Sequence, residues 1–241
     1  MSAWLLSFVL CGFGPHIADD VIKEIPIIEC DESFCDIRSI ENPRITMLNE
    51  PASPFQEASL MRVSVFRCLE EMVENLDALA PGFGYTPGKV SIRVYEGLRS
   101  LDTQKALFEK KVAEYPELSR EEAELEASKW ISPVKDNIPV HVTGAAVDLR
   151  LYDEEKGEFL DMGIFGTIWG PNEEAPTFYP HLTEAQKQNR LYCHKAATLA
   201  GLVNYPYEFW HYSYGDRYWA FTLGKEPLAK LRQSEKTMIL S

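Results

Sequence analysis

At 241 residues and 45% hydrophobic content, the chain is long enough to bury a sizeable core, as one large domain or two small ones. Its 37 acidic and 24 basic residues give a formal net charge of −13, which argues against nucleic acid or an anionic membrane surface as its partner. The bland reading of that charge, an acidic and soluble surface, is the default one.

Residues 4–11 are apolar, yet no Lys or Arg precedes them, and they are far shorter than the ~20 residues of a membrane helix. No other window approaches a span. We therefore expect no integral membrane segment and a cytoplasmic protein, or a periplasmic one if residues 4–11 act as an export signal. Residues 15–54 carry Pro15, Pro26, Pro43, Pro51 and Pro54 among short apolar runs, which suits an extended arm with one or two edge strands. None of Cys11, Cys30, Cys35, Cys68 and Cys193 forms a Cys-x-x-Cys pair. Cys30 and Cys35 are near enough to bridge in an oxidising compartment, but the odd total leaves a thiol over, and reduced thiols are the favoured reading.

From residue 55 to 80 the pattern turns helical: Val65, Leu69, Met72, Leu76 and Leu79 recur at spacings of four and three, and Pro81-Gly82 is expected to end the helix. Residues 89–95 alternate, with Val90, Ile92 and Val94 on one face of a strand that delivers Glu96-Gly97-Leu98-Arg99 to a turn. Residues 101–115 read as a helix. Ser119 with Glu122 forms a capping box for another, running to about Trp130.

Asn137-Ile138-Pro139-Val140 leads to His141, and Gly144 permits a tight turn before a strand over residues 145–151. There Val147, Leu149 and Leu151 share one face, Ala146, Asp148 and Arg150 the other. Residues 153–157 suit a hairpin loop, and residues 162–179 an irregular excursion. Thr183 and Gln186 begin a last long helix that Gly201 ends, with Leu191, Ala196, Leu199 and Leu202 expected to face the core. The aromatic run 205–221 is read as two strands joined by a turn at Gly215-Asp216, followed by a polar tail. These elements predict an α+β fold, one antiparallel sheet packed with helices. With no Gly/Ser-rich or Pro-rich linker, we expect a single structural domain, residues 1–54 forming an N-terminal arm packed on residues 55–241.

Two stretches carry chemistry. His141, Asp148 and His211 can supply three ligands to one zinc, leaving a fourth position for water and Glu208 as the base that activates it. Singly, His141 is as well read as a hydrogen-bonded loop histidine and Asp148 as a salt-bridge partner. The spacing is not that of a helical His-Glu-x-x-His site. Seven residues between His141 and Asp148 require a turn at Gly144, since odd separations in one strand point to opposite faces. Glu208 and His211, three apart, require one of them at a strand end or a bulge.

His141-x-x-Gly144-x-Ala146-x-Asp148 followed by Glu208-Phe209-Trp210-His211 resembles the motif pair of the zinc-dependent D-alanyl-D-alanine dipeptidases of the vancomycin-resistance type. Those are relatives of the zinc D,D-carboxypeptidases and of the hedgehog fold. Glu96-Gly97-Leu98-Arg99 with Gln104 and Leu107-Phe108 looks like the family's third motif, and Asn189-Arg190 with residues 214–220 matches its C-terminal part; the likeness spans about residues 56–222. The resemblance implies one zinc per chain on His141, Asp148 and His211, Glu208 as general base and then acid, and Arg99 as oxyanion stabiliser. An ion pair with Glu96 is the plain alternative for Arg99.

The chain departs from that pattern twice. Pro139 stands where the family commonly has Ser, and Met162-Gly163-Ile164-Phe165-Gly166-Thr167 lacks the carboxylate that anchors a dipeptide's amino group. The expected activity is zinc-dependent hydrolysis of a small peptide of cell-wall type, D-Ala-D-Ala first. A D,D-carboxypeptidase acting on muropeptides and a non-catalytic zinc or peptide-binding module are the alternatives.

Overall fold

The computed structural model describes residues 22, 24–27, 30–48, 56–128, 130–134, 138–164 and 174–224. Residues 4–11, Phe165 to Thr167 and the tail beyond 224 lie outside these. Eight strands occur among the described residues: β1 (Phe34–Asp36), β2 (Ile45–Met47), β3 (Leu60–Arg62), β4 (Val90–Glu96), β5 (Ala146–Asp153), β6 (Glu158–Phe159), β7 (Val203–Asn204) and β8 (His211–Ser213). Five α-helices accompany them: α1 (Val63–Phe83), α2 (Leu101–Val112), α3 (Arg120–Ser128), α4 (Glu184–Leu199) and α5 (Arg217–Leu223).

The α+β reading holds, with the sheet expectation corrected at one edge and in number. The main sheet runs β2-β4-β5-β8-β7 with β6 beside β5, while β1 and β3 form a separate two-stranded sheet. All pairs are antiparallel except β2 with β4, which is parallel. Both strands of the 30–48 stretch are thus paired to the body, and Leu48 extends the β2 contact by donating to the Val94 carbonyl at 2.7 Å.

Helix α1 buries Val65, Leu69, Met72 and Leu76 of the stripe its spacing dictates, whereas Leu79 is only partly buried and Ala80 beside it enters the core. It begins eight residues later than expected, because residues 56–59 form a 3-10 turn and 60–62 a strand. It also runs past Pro81 to Phe83, where Gly84 at φ 79° closes it with a bond to the Ala80 carbonyl. Proline forfeits one intrahelical donor, which the last turn tolerates.

Helix α4 starts on the expected capping box, with Thr183 and Gln186 each accepting from the other's N–H. It buries Tyr192, Cys193, Ala196 and Ala197, whereas Leu199, expected in the core, is 65% exposed. These residues share one cluster with the α1 stripe and with Ile92, Val94, Val147, Leu149 and Leu151 of the sheet. Polar ties reinforce it: Tyr192 donates to the Leu76 carbonyl at 2.7 Å and Asn75 to the Ala196 carbonyl at 3.2 Å.

The turn at Gly215-Asp216 does not join two strands. Asp216 caps α5 by accepting from the Trp219 N–H at 2.8 Å, and the last two strands, β7 and β8, are linked instead by residues 205–210. Cys30, Cys35, Cys68 and Cys193 are unpaired thiols.

Candidate active site

Strand β5 lies between β4 on one side and β8 on the other, and Asp148 is the residue at which those two pairings overlap. Asp148 is opposite Glu96 on β4 and opposite His211 on β8. Alternation turns it away from Val147 and Leu149, which enter the core. A register shift between Val94 and Glu96 brings the end of β4 level with it.

His141 precedes β5 on a 3-10 turn, Val140–Thr143, which Pro139 opens and Gly144 closes in the left-handed region at φ 69°. A side chain at Gly144 would also meet the Phe34 ring at 2.3 Å. This reversal is the turn that the His141–Asp148 spacing demanded. His141 is tied twice to the loop after β4. Its Nδ1 donates to the Gly97 carbonyl at 2.8 Å, and its own carbonyl accepts from the Arg99 N–H at 3.1 Å. The Gly97 bond leaves Nε2 as the ring nitrogen with a free lone pair.

Glu208 and His211 meet the second demand of spacing. His211 is the first residue of β8, and Glu208 sits in the turn before it, with Glu208 N–H on the Tyr205 carbonyl at 3.0 Å and His211 N–H on the Glu208 carbonyl at 3.1 Å.

Three donor atoms converge. His141 Nε2 lies 3.1 Å from His211 Nδ1 and 3.4 Å from Asp148 Oδ1, and His211 Nδ1 lies 3.0 Å from Asp148 Oδ1. A tetrahedral ion with bonds of ~2.0–2.1 Å holds its ligands roughly 3.3–3.4 Å apart, so the triangle matches a divalent metal's face. The chemistry agrees, since two imidazoles and a carboxylate are a donor set suited to zinc. All three side chains are under a tenth exposed, whereas the Glu208 side chain is 38% exposed, with Oε2 3.8 Å from His211 Nδ1. The candidate base therefore stands at the open side of a closed donor triangle.

The local charges follow from burial and neighbours. Burial works against an ionised Asp148, but His141 and His211 outweigh it and hold the carboxyl well below the usual carboxylate range. Burial likewise disfavours a charged His141, yet Asp148 prevails and raises its pKa. Glu208 is pushed up, first by desolvation, with His211 opposing and Asp148 adding to the shift.

Arg99 does form the ion pair read as its alternative: Nε and Nη2 donate to Glu96 at 2.7 and 2.8 Å, and Nη1 to Gln104 at 2.9 Å. Burial lowers its pKa, Glu96 more than compensates, and the fields of Asp148 and Glu208 reach it as well. The pair thus fixes a permanent cation beside the donor triangle, and the two readings of Arg99 are compatible.

Several contributors lie outside the sequence motifs that mark the site. Tyr205 sets its ring edge against His211 at 6.0 Å between centroids. Ser213 Oγ is 3.5 Å from His211 Nε2, and the buried Asp216 carboxyl bonds Ser213 in turn. Ser213 follows from strand alternation, being two residues beyond His211 on the same face. Tyr205 and the Gly97 carbonyl have no local signature. His181 and His194 lie apart from the donor triangle, and His16 is outside the described residues.

The peptidase M15 family, described as D-Ala-D-Ala dipeptidase, matches residues 88–226, more than half of the chain. A D-alanyl-D-alanine dipeptidase of Synechocystis sp. (strain ATCC 27184 / PCC 6803 / Kazusa) is 32% identical over a match that covers 38% of this chain and 41% of that protein. The chain therefore spans about two fifths of the length of that curated relative. Among solved structures, the vancomycin-resistance D,D-pentapeptidase VanY in complex with Zn(II) is 18% identical, with 72% of this chain and 84% of that one covered and a TM-score of 0.39. The LdcB LD-carboxypeptidase is 18% identical over 84% of this chain and 77% of its own, with a TM-score of 0.45.

Proposed function

The chain belongs to the peptidase M15 family of D-Ala-D-Ala dipeptidases, and from that premise we propose that it is a zinc-dependent hydrolase of a small peptide, D-Ala-D-Ala in the first instance. The observation that carries the reading is the buried triangle of His141, Asp148 and His211 donors, 3.0–3.4 Å apart, with Glu208 open to solvent beside it. Zinc held there supplies a Lewis acid that polarises a carbonyl and lowers the pKa of water to ~7.

The remaining chemistry belongs to side chains. Glu208 takes the proton of the attacking water and passes it to the leaving amine. Arg99, immobilised by Glu96 and Gln104, faces the negative charge that develops on the substrate oxygen. His141 keeps its orientation through Gly97, and Asp148 balances the charge of the site from the central strand. In this reading residues 55–241 form the catalytic body and residues 1–54 an arm upon it. No helix among the described residues is long and apolar enough to cross a membrane.

The test is turnover of D-Ala-D-Ala and a panel of small dipeptides by the zinc-loaded protein. Zinc bound at one equivalent without hydrolysis would remove the dipeptidase reading. A D,D-carboxypeptidase acting on longer muropeptides is favoured by one feature, the absence of a carboxylate in Ile164-Phe165-Gly166-Thr167 to pair with a free amino group. Faster hydrolysis of an N-acylated peptide than of its free-amine form would select it.

A further inference from the structure

We propose that Asn204 is a positioning residue of the hydrolytic site, held in place by Thr177; the proposal rests on the roles given above to Glu208 and His211. Asn204 lies on β7 and is buried. Its amide nitrogen donates to two main-chain carbonyls at once, that of Glu208 at 3.0 Å and that of His211 at 2.9 Å. One side chain thus joins the backbone of the base to that of the third metal donor.

The opposite end of the amide is fixed as firmly. Thr177, itself buried, donates its hydroxyl to Asn204 Oδ1 at 2.6 Å, while its N–H bonds the Pro206 carbonyl at 2.9 Å. A reversed amide would set an oxygen against two carbonyl oxygens, so the network admits one orientation. The two carbonyls, which can only accept, enforce it, and the Thr177 hydroxyl satisfies the buried Oδ1 that results and holds it in place.

The geometry of residues 205–210 explains why such a brace matters. The segment is neither helix nor strand, and it is closed by Tyr205 N–H on the His211 carbonyl, also at 3.0 Å. The Asn204 amide fills the inside of that loop and spans its two functional residues. A metal site requires its groups held to within about 0.5 Å, and residues behind the ligands typically change metal affinity or activity by about 10- to 100-fold. Neither Asn204 nor Thr177 belongs to the motifs that mark the site in the sequence.

The experiment uses the full chain with Thr177→Val, Thr177→Ser and Asn204→Asp. Zinc affinity is measured by chelator competition, and kcat and KM on the peptide that the parent hydrolyses. Thr177→Val and Asn204→Asp are expected to weaken zinc about tenfold and, at saturating zinc, to lower kcat about 10- to 100-fold with KM changed less than about threefold. Thr177→Ser, which keeps the hydroxyl, restores both. Parental zinc affinity and kcat in Thr177→Val, or a Thr177→Ser protein as impaired as Thr177→Val, would overturn the proposal. The zinc measurement needs no substrate, so a parent that binds zinc and hydrolyses nothing would remove the hydrolase reading and still leave Asn204 decided.

Discussion

Replacing Glu208 with Gln separates the base from the metal site, and the structure sets the size of each effect. Gln has the same shape, so the 3.8 Å approach to His211 Nδ1 survives while the charge and the proton-accepting oxygen are lost. A carboxylate that stands beside the donors without binding the ion acts on it only through its charge, and unit charges about 4 Å apart interact by ~1 kcal/mol at the dielectric of water and ~4 kcal/mol at an effective value of 20. With the side chain 38% exposed, screening places the real term near the lower end. Metal affinity should then fall no more than about tenfold, since ~1.4 kcal/mol is one decade. Loss of general acid–base transfer, by contrast, removes about 10²- to 10⁴-fold from kcat, or ~3–5 kcal/mol. The assay is kcat against zinc concentration for parent and variant, with bound zinc counted independently. A Glu208→Gln enzyme with more than a tenth of parental kcat at full occupancy would refute the assignment. Activity recovered merely by adding zinc would make Glu208 a ligand instead of a base.

Three further outcomes follow from the same geometry. In chelator, His141, whose pKa is raised, stabilises the fold below about pH 6.5 and loses that contribution as pH climbs through its folded value, while Asp148, whose pKa is depressed, stabilises above about pH 3.9 and loses it on acidification. The metal-free Tm should therefore peak between about pH 4 and 6.5, and the rise in Tm on adding zinc should grow above that window, where protons no longer compete for the imidazoles; a metal-free Tm still climbing from pH 6.5 to 9 would contradict this. Gly97→Ala would place a methyl 2.3 Å from the Leu60 carbonyl, and because that neighbour is backbone the loop must move, taking the His141 anchor with it. Denaturant unfolding should show a loss of about 1–3 kcal/mol together with weakened zinc binding, and an unchanged zinc titration would disprove the anchoring role. Arg99→Lys keeps the charge but cannot reproduce the two-pronged bond to Glu96, so kcat should fall about tenfold or more, and a parental kcat would release Arg99 from catalysis.

What the sequence disclosed depended on how local each signal was. The 3.6-residue stripe of α1, the alternation of β4 and β5 and the capping box of α4 are written in neighbouring residues, and all three formed, the stripe with Ala80 buried more fully than Leu79 at its end. Parity arguments also worked: Gly144 turns the chain between His141 and Asp148, and His211 opens its strand just after the turn that holds Glu208. The three-residue strand β2 offered no such pattern, and its parallel pairing is decided by a partner some 47 positions away, as with Ile45 and Ile92. At residues 217–223 the aromatic content of Tyr218, Trp219 and Phe221 suggested a strand, but the Asp216 cap prevailed and the rings pack from a helix. Asn204 and Thr177 escaped notice because an amide and a hydroxyl gain meaning only from the carbonyls they meet.

The central place of β5 governs when the site comes into being. His141 and Asp148 belong to one turn and one strand, but the third donor arrives 70 residues after the first, on a strand that pairs only once β8 has docked. A nascent chain that ends before residue 211 carries only two of the three donors of the proposed site. Capture of a metal by the proposed triad would thus mark completion of the sheet, and the ion would then act as a clasp, stabilising the finished fold in proportion to the logarithm of its free concentration over Kd.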